Sequence, residues 1–334
     1  MNGKVQSKSI ISYDTTGHFM VSFDYLPKGL NALSRAHLVN SMAGHLGAAV
    51  IAGYFIAEQH PNLDAKVYTG IEGELERIIR GESVFSPRKN SPVTVKELFQ
   101  AYPKEPAKPT LIRNIADSLE KNISETRQSG HNVIFASIAI RALKDHEDLA
   151  TTSVINGICK LMEQFNAANA GSGYYGKERG RIYANKIVIP KEKQRKPYTT
   201  LAQMAEAVLD ELIQFQGERR DGFGGLWHVI NHGAALAELS SYGFGDLARK
   251  GIPAHFHHME LYRTLPDVSD EFGKETKSKY DPHSAEYWKQ DDLRRDRAHL
   301  DHRIKTIYGF DALAELVADE EKRKKAILKM RYLM

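Results

Sequence analysis

The chain has 334 residues, a formal net charge of +4 and 42% hydrophobic residues, a balance typical of globular proteins. We expect no membrane span, because its apolar runs fall short of the roughly 18 residues that crossing a bilayer requires, and no secretion signal. The single cysteine, Cys159, excludes an internal disulfide and a cysteine-based zinc cage. These features predict a soluble, cytoplasmic protein.

Basic residues gather in three short segments, at 191–196, 294–297 and 321–331. Nucleic-acid-binding proteins more often carry a broad basic surface interleaved with aromatic residues. Acidic residues interrupt all three segments here, which favours solvated helix faces. We therefore expect no nucleic-acid partner.

The first 30 residues contain the only convincing alternating runs, SIISYD and HFMVSFDYL, which predict a short N-terminal β-hairpin. From Asn31 the pattern is helical, and Asn31 or Ser34 is expected to cap one long helix over 32–59. We predict an N-terminal strand segment over 1–30 and a single helical domain over 31–334. Further elements are predicted as helices at 63–80, 94–102, 110–126, 131–144, 149–168, 199–216, 225–241, 244–250, 253–264, 284–308 and 311–331, with a strand at 181–190.

About ten helices with short links and almost no strands predict an all-α, multi-helix single domain. A weak internal repeat runs through it, in which His37, His131 and His228 each precede a small-residue, alanine-rich helix face. Their spacings of 94 and 97 residues exceed those of solenoid repeats and suit two helical hairpins per unit around a common centre. The fold is therefore predicted to be α/α toroid-like, with chance similarity of alanine-rich helices as the alternative.

The segment LWHVINHGAA places His228 and His232 four residues apart, so that both project from the same helix face. Such a pair can chelate one metal ion, as in HExxH, but the glutamate of that motif is missing and a zinc peptidase is excluded. The pair then either binds a metal ion together with other ligands, or acts as an acid/base or ligand-contacting pair, or makes only structural contacts.

The segment GIPAHFHHMELYR is expected to begin a helix at its proline, which places His255 in the first turn, where the helix dipole opposes protonation. A neutral His255 is suited to act as a base, an acceptor or a ligand. His255 and His258 share one helix face with Tyr262, whereas His257 points elsewhere and is expected to form an exposed pair with Glu260. Two of the three histidines in this segment can therefore belong to one site.

Further ligand contacts are expected from other parts of the chain. The first long helix presents small residues on one side, which leave space for a ligand or for a second helix. The GSGYYG loop lacks the strand–loop–helix context of a dinucleotide site and is interpreted as an ordinary loop or a lid. Segment 298–303, AHLDHR, is interpreted as solvated surface. The expected substrate-binding residues are His37, Ser41, His45, Tyr174, Tyr175, Lys177 and Trp227.

The leading hypothesis is a soluble enzyme that acts on a small, largely apolar or aromatic metabolite in a central pocket lined by helix-borne histidines. Its chemistry would be acid/base or metal-assisted, as in an oxidoreductase, a lyase or an isomerase. The alternative is a non-catalytic ligand-binding or scaffold protein with structural histidines, and a homodimer is left open in either case. The predicted catalytic residues are His228, His232, His255, His258 and Tyr262, and a divalent ion, Fe or Zn, would be held by His228, His232 and His258.

Overall fold

The computed structural model describes residues 20–190, 192 and 194–334, and it confirms the predicted all-α, multi-helix fold. Helices make up 62% of the structure. Within the described ranges, no helix is both apolar and long enough to cross a lipid bilayer. The elements are α1 (Tyr25–Arg35), α2 (Gly44–Gln59), α3 (Ala65–Ile79), α4 (Val95–Phe99), α5 (Arg113–Glu120), α6 (His131–Asp145), α7 (Thr152–Glu163), β1 (Ser172–Tyr174), β2 (Arg181–Tyr183), α8 (Leu201–Gln214), α9 (Gly225–Ser241), α10 (Gly245–Arg263), α11 (Ser269–Phe272), α12 (Asp291–Arg295), α13 (Leu300–Ala314) and α14 (Glu320–Met330).

The chain enters the described fold as a helix, where the sequence predicted the second strand of a hairpin. Residues 1–19, which hold the first predicted strand, lie outside the described residues. Residues 20–24 form coil and a turn, and α1 begins at Tyr25, before the predicted boundary at residue 31. Leucines of α1 recur at helical spacing and are buried. The free energy gained by burying them outweighs the alternating pattern of apolar and polar residues that predicted a strand. These buried leucines are Leu26, Leu30 and Leu33.

The single helix predicted over 32–59 is two helices, α1 and α2, joined by two short 3₁₀ turns. Asn40 between them is extended, and its side chain accepts a backbone N–H at 3.1 Å at the start of the second turn. Asn40 is therefore the capping residue, whereas the predicted caps Asn31 and Ser34 lie inside α1. His37 lies in the break between the two helices.

Four helices, α2, α6, α9 and α13, form the centre of the fold. α2 packs on α6, α6 on α9, α9 on α13, and α13 on α2. Helices α9 and α13 run in the same direction, because they meet at matching positions twice. Nε2 of His228 lies 2.8 Å from Nε2 of His302 near both helix starts, and further along the amide of Asn231 donates to the hydroxyl of Thr306 at 3.3 Å. The rings of Phe55 in α2 and Tyr308 in α13 stack 6.2 Å apart, again at similar depths. Parallel neighbours require long connections, because the chain must return to the same end before each inner helix begins. The toroid-like arrangement stays a prediction.

The two helices predicted on either side of Pro253 form one helix, α10. A proline inside a helix removes one backbone hydrogen bond and usually bends or ends it. Here α10 packs so closely on α9 that a Cβ on Gly251 would lie 2.5 Å from the side chain of Leu236. This packing keeps the helix continuous, and it places His255 in the middle of α10 instead of in a first turn.

The single helix predicted over 284–308 is broken, and α13 begins only at Leu300. The carboxylate of Asp296 accepts the backbone N–H groups of Ala298 and His299, at 3.0 and 3.1 Å, and so stabilises the turn that precedes α13. The AHLDHR segment, interpreted as solvated surface, therefore forms the first turn of an inner helix. Its Asp301 and Arg303 are buried, contrary to that interpretation.

The two strands form a small antiparallel hairpin that replaces the longer strand predicted over 181–190. Gly173 in β1 faces Ile182 in β2, and on its other side it forms a bridge with Gly222, just before α9. A Cβ on Gly222 would lie 2.3 Å from the backbone of Gly173, so the two chains meet where only glycine fits. The GSGYYG loop is thus held against the segment that leads into α9.

Candidate functional site

Four histidines meet where the inner helices begin. Each lies in the first turn of its helix, so the N-terminal ends of all four helices converge on them. Three of these residues are between 1% and 6% exposed, and the fourth, His302, is partly exposed. We call these four residues the histidine cluster: His45 in α2, His131 in α6, His228 in α9 and His302 in α13.

The imidazoles of the histidine cluster are in direct contact as two pairs. The Nε2 atoms of His45 and His131 are 2.6 Å apart, and those of His228 and His302 are 2.8 Å apart. The pairs lie side by side, because the ring centroids of His131 and His228 are 4.4 Å apart and those of His45 and His302 are 4.8 Å apart. All four rings therefore share one compact space.

Neighbouring groups assign the protons on His45 and His131. Nδ1 of His131 donates to the carbonyl oxygen of Gln128, so Nε2 of this neutral ring carries a lone pair. Nε2 of His45 then donates to that lone pair, and Nδ1 of His45 accepts a hydrogen bond from the amine of Lys305. A chain of hydrogen bonds thus runs from Lys305 through both imidazoles to the backbone.

Three members of the histidine cluster can bind one metal ion. The ligand atoms of His45, His131 and His228 all lie within 4.8 Å of one another. A tetrahedral zinc ion holds its nitrogen ligands about 3.3 Å apart, so small ring movements would enclose an ion. A metal-binding histidine usually donates the N–H of its other ring nitrogen to a backbone carbonyl oxygen or a carboxylate, and His131 makes such a hydrogen bond to the backbone. Among the described residues, Nδ1 of His228 and Nδ1 of His302 have no hydrogen-bond partner.

The imidazoles of the histidine cluster are held in their neutral form. Burial, followed by the charge of Lys305, lowers the pKa of His131 to about 3, and the same causes lower the pKa of His45 well below its usual value. Burial also lowers the pKa of His228 and that of His302. The converging helix N-termini add partial positive charge, which opposes protonation further. Neutral imidazole is the form that binds metal ions.

Three groups from outside the histidine set enclose the cluster. Lys305 is buried, and burial lowers the pKa of its amine to about 7. Asp301 is also buried and accepts a hydrogen bond from the hydroxyl of Ser83, while burial raises the pKa of its carboxyl. The ring of Phe85 stacks on His45 with centroids 3.8 Å apart. The cluster is thus shielded on one side by an aromatic ring and contacted by an amine, and the carboxyl group belongs to the residue just before His302.

Three of the predicted catalytic histidines form a second buried group, made of His232, His255 and His258. Nδ1 of His232 lies 3.3 Å from Nδ1 of His258, and the rings of His232 and His255 are 5.0 Å apart. Nε2 of His258 and Nε2 of His255 donate to backbone carbonyl oxygens at 2.8 and 2.9 Å. His258 therefore accepts at Nδ1, His232 donates there, and Nε2 of His232 carries a lone pair that has no partner within the described structure.

The predicted metal set is divided between these two groups. His228 belongs to the histidine cluster, whereas His232 and His258 belong to the second group, although His228 and His232 are one turn apart on α9. The division arises because His228 lies at the very start of α9, where the other helices begin. His232 lies one turn deeper, beside α10.

Two expectations about α10 are wrong. His255 is neutral because burial lowers its pKa to about 3, and its position in mid-helix removes the first-turn dipole as the cause. His257 and Glu260 do not form an exposed pair: Glu260 is buried and accepts from Arg263 at 2.7 Å. Nδ1 of His257 instead lies 3.2 Å from the hydroxyl of Thr126.

Three predicted substrate-binding residues lie in or beside the histidine cluster. His45 is one of its members. Trp227 packs on it, with its ring centroid 5.7 Å from that of His302. Ser41 is one contact further away, since its hydroxyl donates to the side chain of Gln128 at 3.0 Å. Gln128 is the residue whose carbonyl oxygen fixes a cluster imidazole, so Ser41 supports the site indirectly.

The other predicted substrate-binding residues lie away from the histidine cluster. Nδ1 of His37 contacts a backbone carbonyl oxygen in the turn after α1, at 2.8 Å. The hydroxyl of Tyr174 donates to Glu271 at 2.7 Å, and the backbone N–H of the exposed Lys177 donates to the same carboxylate. Tyr175 packs against the hydrophobic core. Tyr174 and Lys177 thus hold the GSGYYG hairpin against the segment that follows α10.

A small surface cleft leads to Trp227. Its volume is about 40 Å³, enough for only a few water molecules. Nε1 of Trp227 donates to the carbonyl oxygen of Leu333 at 3.0 Å, so the last residues of the chain form one wall. Tyr262, predicted to be catalytic, lines this cleft and not the cluster. The lining includes Phe215, Arg220, Trp227, Tyr262, Tyr332 and Leu333.

Sequence reasoning missed three residues of the site, His131, His302 and Lys305. His131 was noted only in the internal repeat, and His302 was assigned to solvated surface. The signal that identifies the cluster is a histidine in the first turn of each inner helix. By this signal, the first histidine of the internal repeat is His45 and not His37. The cluster residues in α2 and α6 are therefore 86 positions apart.

Known proteins give no further indication of function. Comparison with protein-family models, with curated proteins and with solved structures finds no match. The function of this chain is therefore inferred from the geometry of the histidine cluster and its surroundings.

Proposed function

We propose that the histidine cluster holds one divalent transition-metal ion, iron or zinc, and that the protein is a metal-dependent enzyme. The observation that carries this proposal is the convergence of ligand atoms from His45, His131 and His228, on three helices, within 4.8 Å in the buried centre. Iron and zinc both accept neutral imidazole, and a three-histidine set leaves a coordination position for water or substrate. His302, in contact with His228, is a fourth available imidazole.

A purely structural role accounts for the cluster less well. Four adjacent imidazoles bury polar nitrogens at the centre of the fold, and apolar side chains of similar size would fill that space at lower energetic cost. In the described structure, two of these nitrogens, on His228 and His302, lack a partner. A metal ion bound at Nε2 of His45 would displace the proton between His45 and His131, and that proton would move to Nδ1 of His45, where the neutral amine of Lys305 can accept it.

The charge of such a site favours an anionic ligand. Neutral imidazoles leave the charge of a divalent ion uncompensated, and the four helix N-termini and Lys305 add positive potential. A bound ion would supply Lewis-acid chemistry at an oxygen atom of the ligand. We therefore propose a small aromatic or apolar substrate that brings an acidic oxygen, such as a phenol, an enol or a carboxylate.

Three residues of the chain have separate tasks in this proposal. Lys305 orients His45 through its hydrogen bond with Nδ1. His232 is the proton acceptor, because its Nε2 lone pair is unused within the described structure. His258 fixes the tautomer of His232, whose ring packs against Gly130.

The aromatic lining of the cleft at Trp227 supports an aromatic substrate. Trp227 connects the cleft to the cluster, because its ring lies against His302 on one side and its Nε1 is held by Leu333 on the other. The cleft is too small for an organic molecule as it stands. Entry of substrate therefore requires the C-terminal residues to move aside.

Metal analysis of purified and reconstituted protein tests the proposal. His131→Ala and His228→Ala each remove one of the converging ligands and should weaken binding of the cluster ion by at least about 100-fold. The matched control is His37→Ala, which removes a partly buried imidazole outside the cluster and should leave binding unchanged. Unchanged affinity in both cluster variants would overturn the proposal.

Cobalt substitution tests whether the bound ion meets substrate. Co²⁺ in the cluster has visible absorption bands, and these should shift when a phenol or a benzoate coordinates or approaches the ion. The shift should be absent in His228→Ala. If no such ligand changes the spectrum, and His228→Ala and His258→Ala lower only thermal stability, the non-catalytic scaffold is the better description.

A further inference from the structure

A second group of ligand atoms lies at the opposite end of the inner helices. His60 is the C-cap of α2, Asp311 lies in the last turn of α13, and the loop between α11 and α12 brings His283 to the same place. We call these residues the His60–His283–Asp311 triad. With a rise of about 1.5 Å per residue, His60 is about 22 Å along α2 from His45, so the triad is separate from the histidine cluster.

The ligand atoms of the triad converge on one carboxylate oxygen. Oδ2 of Asp311 lies 2.9 Å from Nε2 of His60 and 3.2 Å from Nε2 of His283. The ligand atoms of all three residues lie within 4.8 Å of one another. Ligand atoms around a tetrahedral zinc ion are about 3.3 Å apart. The separations in the triad are therefore already close to those around a coordinated ion.

Surrounding contacts hold the triad as metal ligands are usually held. Nδ1 of His283 lies 3.1 Å from Oδ1 of Asp281, which reproduces the carboxylate that commonly stands behind a metal-binding histidine. The hydroxyl of Tyr68 donates to the carbonyl oxygen of His60 at 2.5 Å. Nε1 of Trp288 donates to the carbonyl oxygen just before His283 at 2.7 Å. Both histidines thus project from fixed backbone.

The charges at this end of the molecule favour a cation. The C-terminal ends of α2 and α13 carry partial negative charge. Two carboxylates, Asp281 and Asp311, face His283. The side chains of the triad are 14% to 31% exposed, so water can occupy further coordination positions.

We propose that the His60–His283–Asp311 triad is a second divalent-metal site, completed by water. Two imidazoles and one carboxylate are a ligand set that zinc accepts. A bound ion would join the C-terminal ends of two inner helices to the loop that carries His283. The site is structural in this proposal, and it does not depend on the function of the histidine cluster.

Titration of metal-free, full-length protein with Zn²⁺ tests this proposal, with the bound ion counted after desalting. We expect two equivalents in the wild-type protein. His60→Ala and His283→Ala should each reduce the count to one, and His131→Ala should remove the other equivalent. In His131→Ala protein, the remaining equivalent should disappear when His283→Ala is added.

The outcomes separate the two sites. A single wild-type equivalent that survives His283→Ala but not His131→Ala overturns the second site and leaves the proposed function intact. A single equivalent that survives His131→Ala but not His283→Ala supports the second site and overturns the proposal that the histidine cluster binds a metal ion. Zn²⁺ binding that none of these variants changes overturns the second site as well.

Two further variants keep the test decisive. Asp311→Asn retains the shape of the side chain but removes its charge, and it should weaken the second equivalent by at least about 10-fold even where an alanine variant fails to fold. The matched control is His146→Ala, because His146 is 22% exposed and lies 3.7 Å from the carboxylate of Glu58. Among the described residues this pair is joined by no third ligand, so two equivalents should remain.

Discussion

At the N-terminal end of the inner helices, burial lowers the pKa of His131 to about 3. At the C-terminal end, burial again opposes the charged form, but hydrogen bonds to Asp281 and Asp311 raise the pKa of His283 to about 10. One end surrounds imidazoles with other imidazoles, an amine and positive helix ends. The other surrounds them with carboxylates and negative helix ends. The same side chain is therefore a neutral ligand at one end and a cation at the other.

This contrast explains what each end offers to a metal ion. The histidine cluster presents lone pairs without competition from protons, but its three proposed ligands are neutral and do not offset the charge of the ion. The triad supplies a carboxylate that offsets that charge, but the ion must displace a proton from His283. The first arrangement suits an ion that must attract an anionic substrate, and the second suits an ion that only holds segments together.

The largest expected effect is loss of stability of the metal-free protein in acid. The pKa of His131 is about 3 in the folded protein and 6.5 for an unperturbed histidine, so unfolding takes up protons between these values. The stabilising contribution is complete above pH 6.5 and is lost as the pH falls toward 3. From pH 7 to pH 5, urea unfolding should show a fall of about 4 kcal/mol in the free energy of unfolding, shared by several cluster histidines.

The control for this prediction is His131→Gln, which removes one titrating ring and keeps a polar side chain. Its free energy of unfolding should fall by about 1 to 2 kcal/mol less over the same pH range. A fall equal to that of the wild-type protein would mean that the cluster does not titrate on unfolding, and the contrast between the two ends would then lose its basis.

A smaller effect is expected from crowding His228. Gly224 and Gly225 both have positive φ, 70° and 62°, so alanine is strained at either position by about 1 kcal/mol. A Cβ on Gly224 would lie 2.2 Å from the ring of His228, whereas no described atom lies within 4 Å of a Cβ on Gly225. Gly224→Ala should therefore lower the free energy of unfolding by about 2 kcal/mol more than Gly225→Ala, and it should reduce metal loading of the cluster. Equal losses in the two variants would show that the ring moves aside freely.

The smallest effect is expected at the triad of the metal-free protein. Because the folded pKa of His283 is raised to about 10, its contribution to stability is complete below pH 6.5 and is lost as the pH rises through about 10. His283→Gln should lower the free energy of unfolding by about 1 to 2 kcal/mol at pH 7. The difference from the wild-type protein should vanish above pH 10. A difference that stays constant with pH would show that His283 is held by packing and not by charge.

Helical spacing predicted the elements more reliably than the site. His228 and His232 were expected on one helix face, and both are on α9. Spacing alone does not reveal that one of them lies at a helix end shared with three other helices. That information depends on how distant parts of the chain pack, and a period of 3.6 residues carries none of it.

The misplaced residues were those next to turns that side chains create. Asn40 begins the turn that takes His45 into the cluster and leaves His37 outside. Asp296 stabilises the turn just before α13, the helix that carries His302, although its arginine-rich surroundings resemble a solvated face. Pro253 acted in the opposite way, because packing on α9 overrode a residue that locally ends helices. Local signals and long-range packing disagree at these points, and packing decides.

Because the inner helices run side by side in one direction, the cluster ligands come from widely separated stretches of the polypeptide, 86 residues apart between His45 and His131 and 74 between His228 and His302. The ring of His228 must leave the ribosome before the three converging ligands can meet. Assembly of this centre thus depends on contacts distant in the chain, which form more slowly than local ones. Nascent or truncated chains that stop short of His228 would lack one of the three converging ring nitrogens, so they would not present the complete proposed metal site.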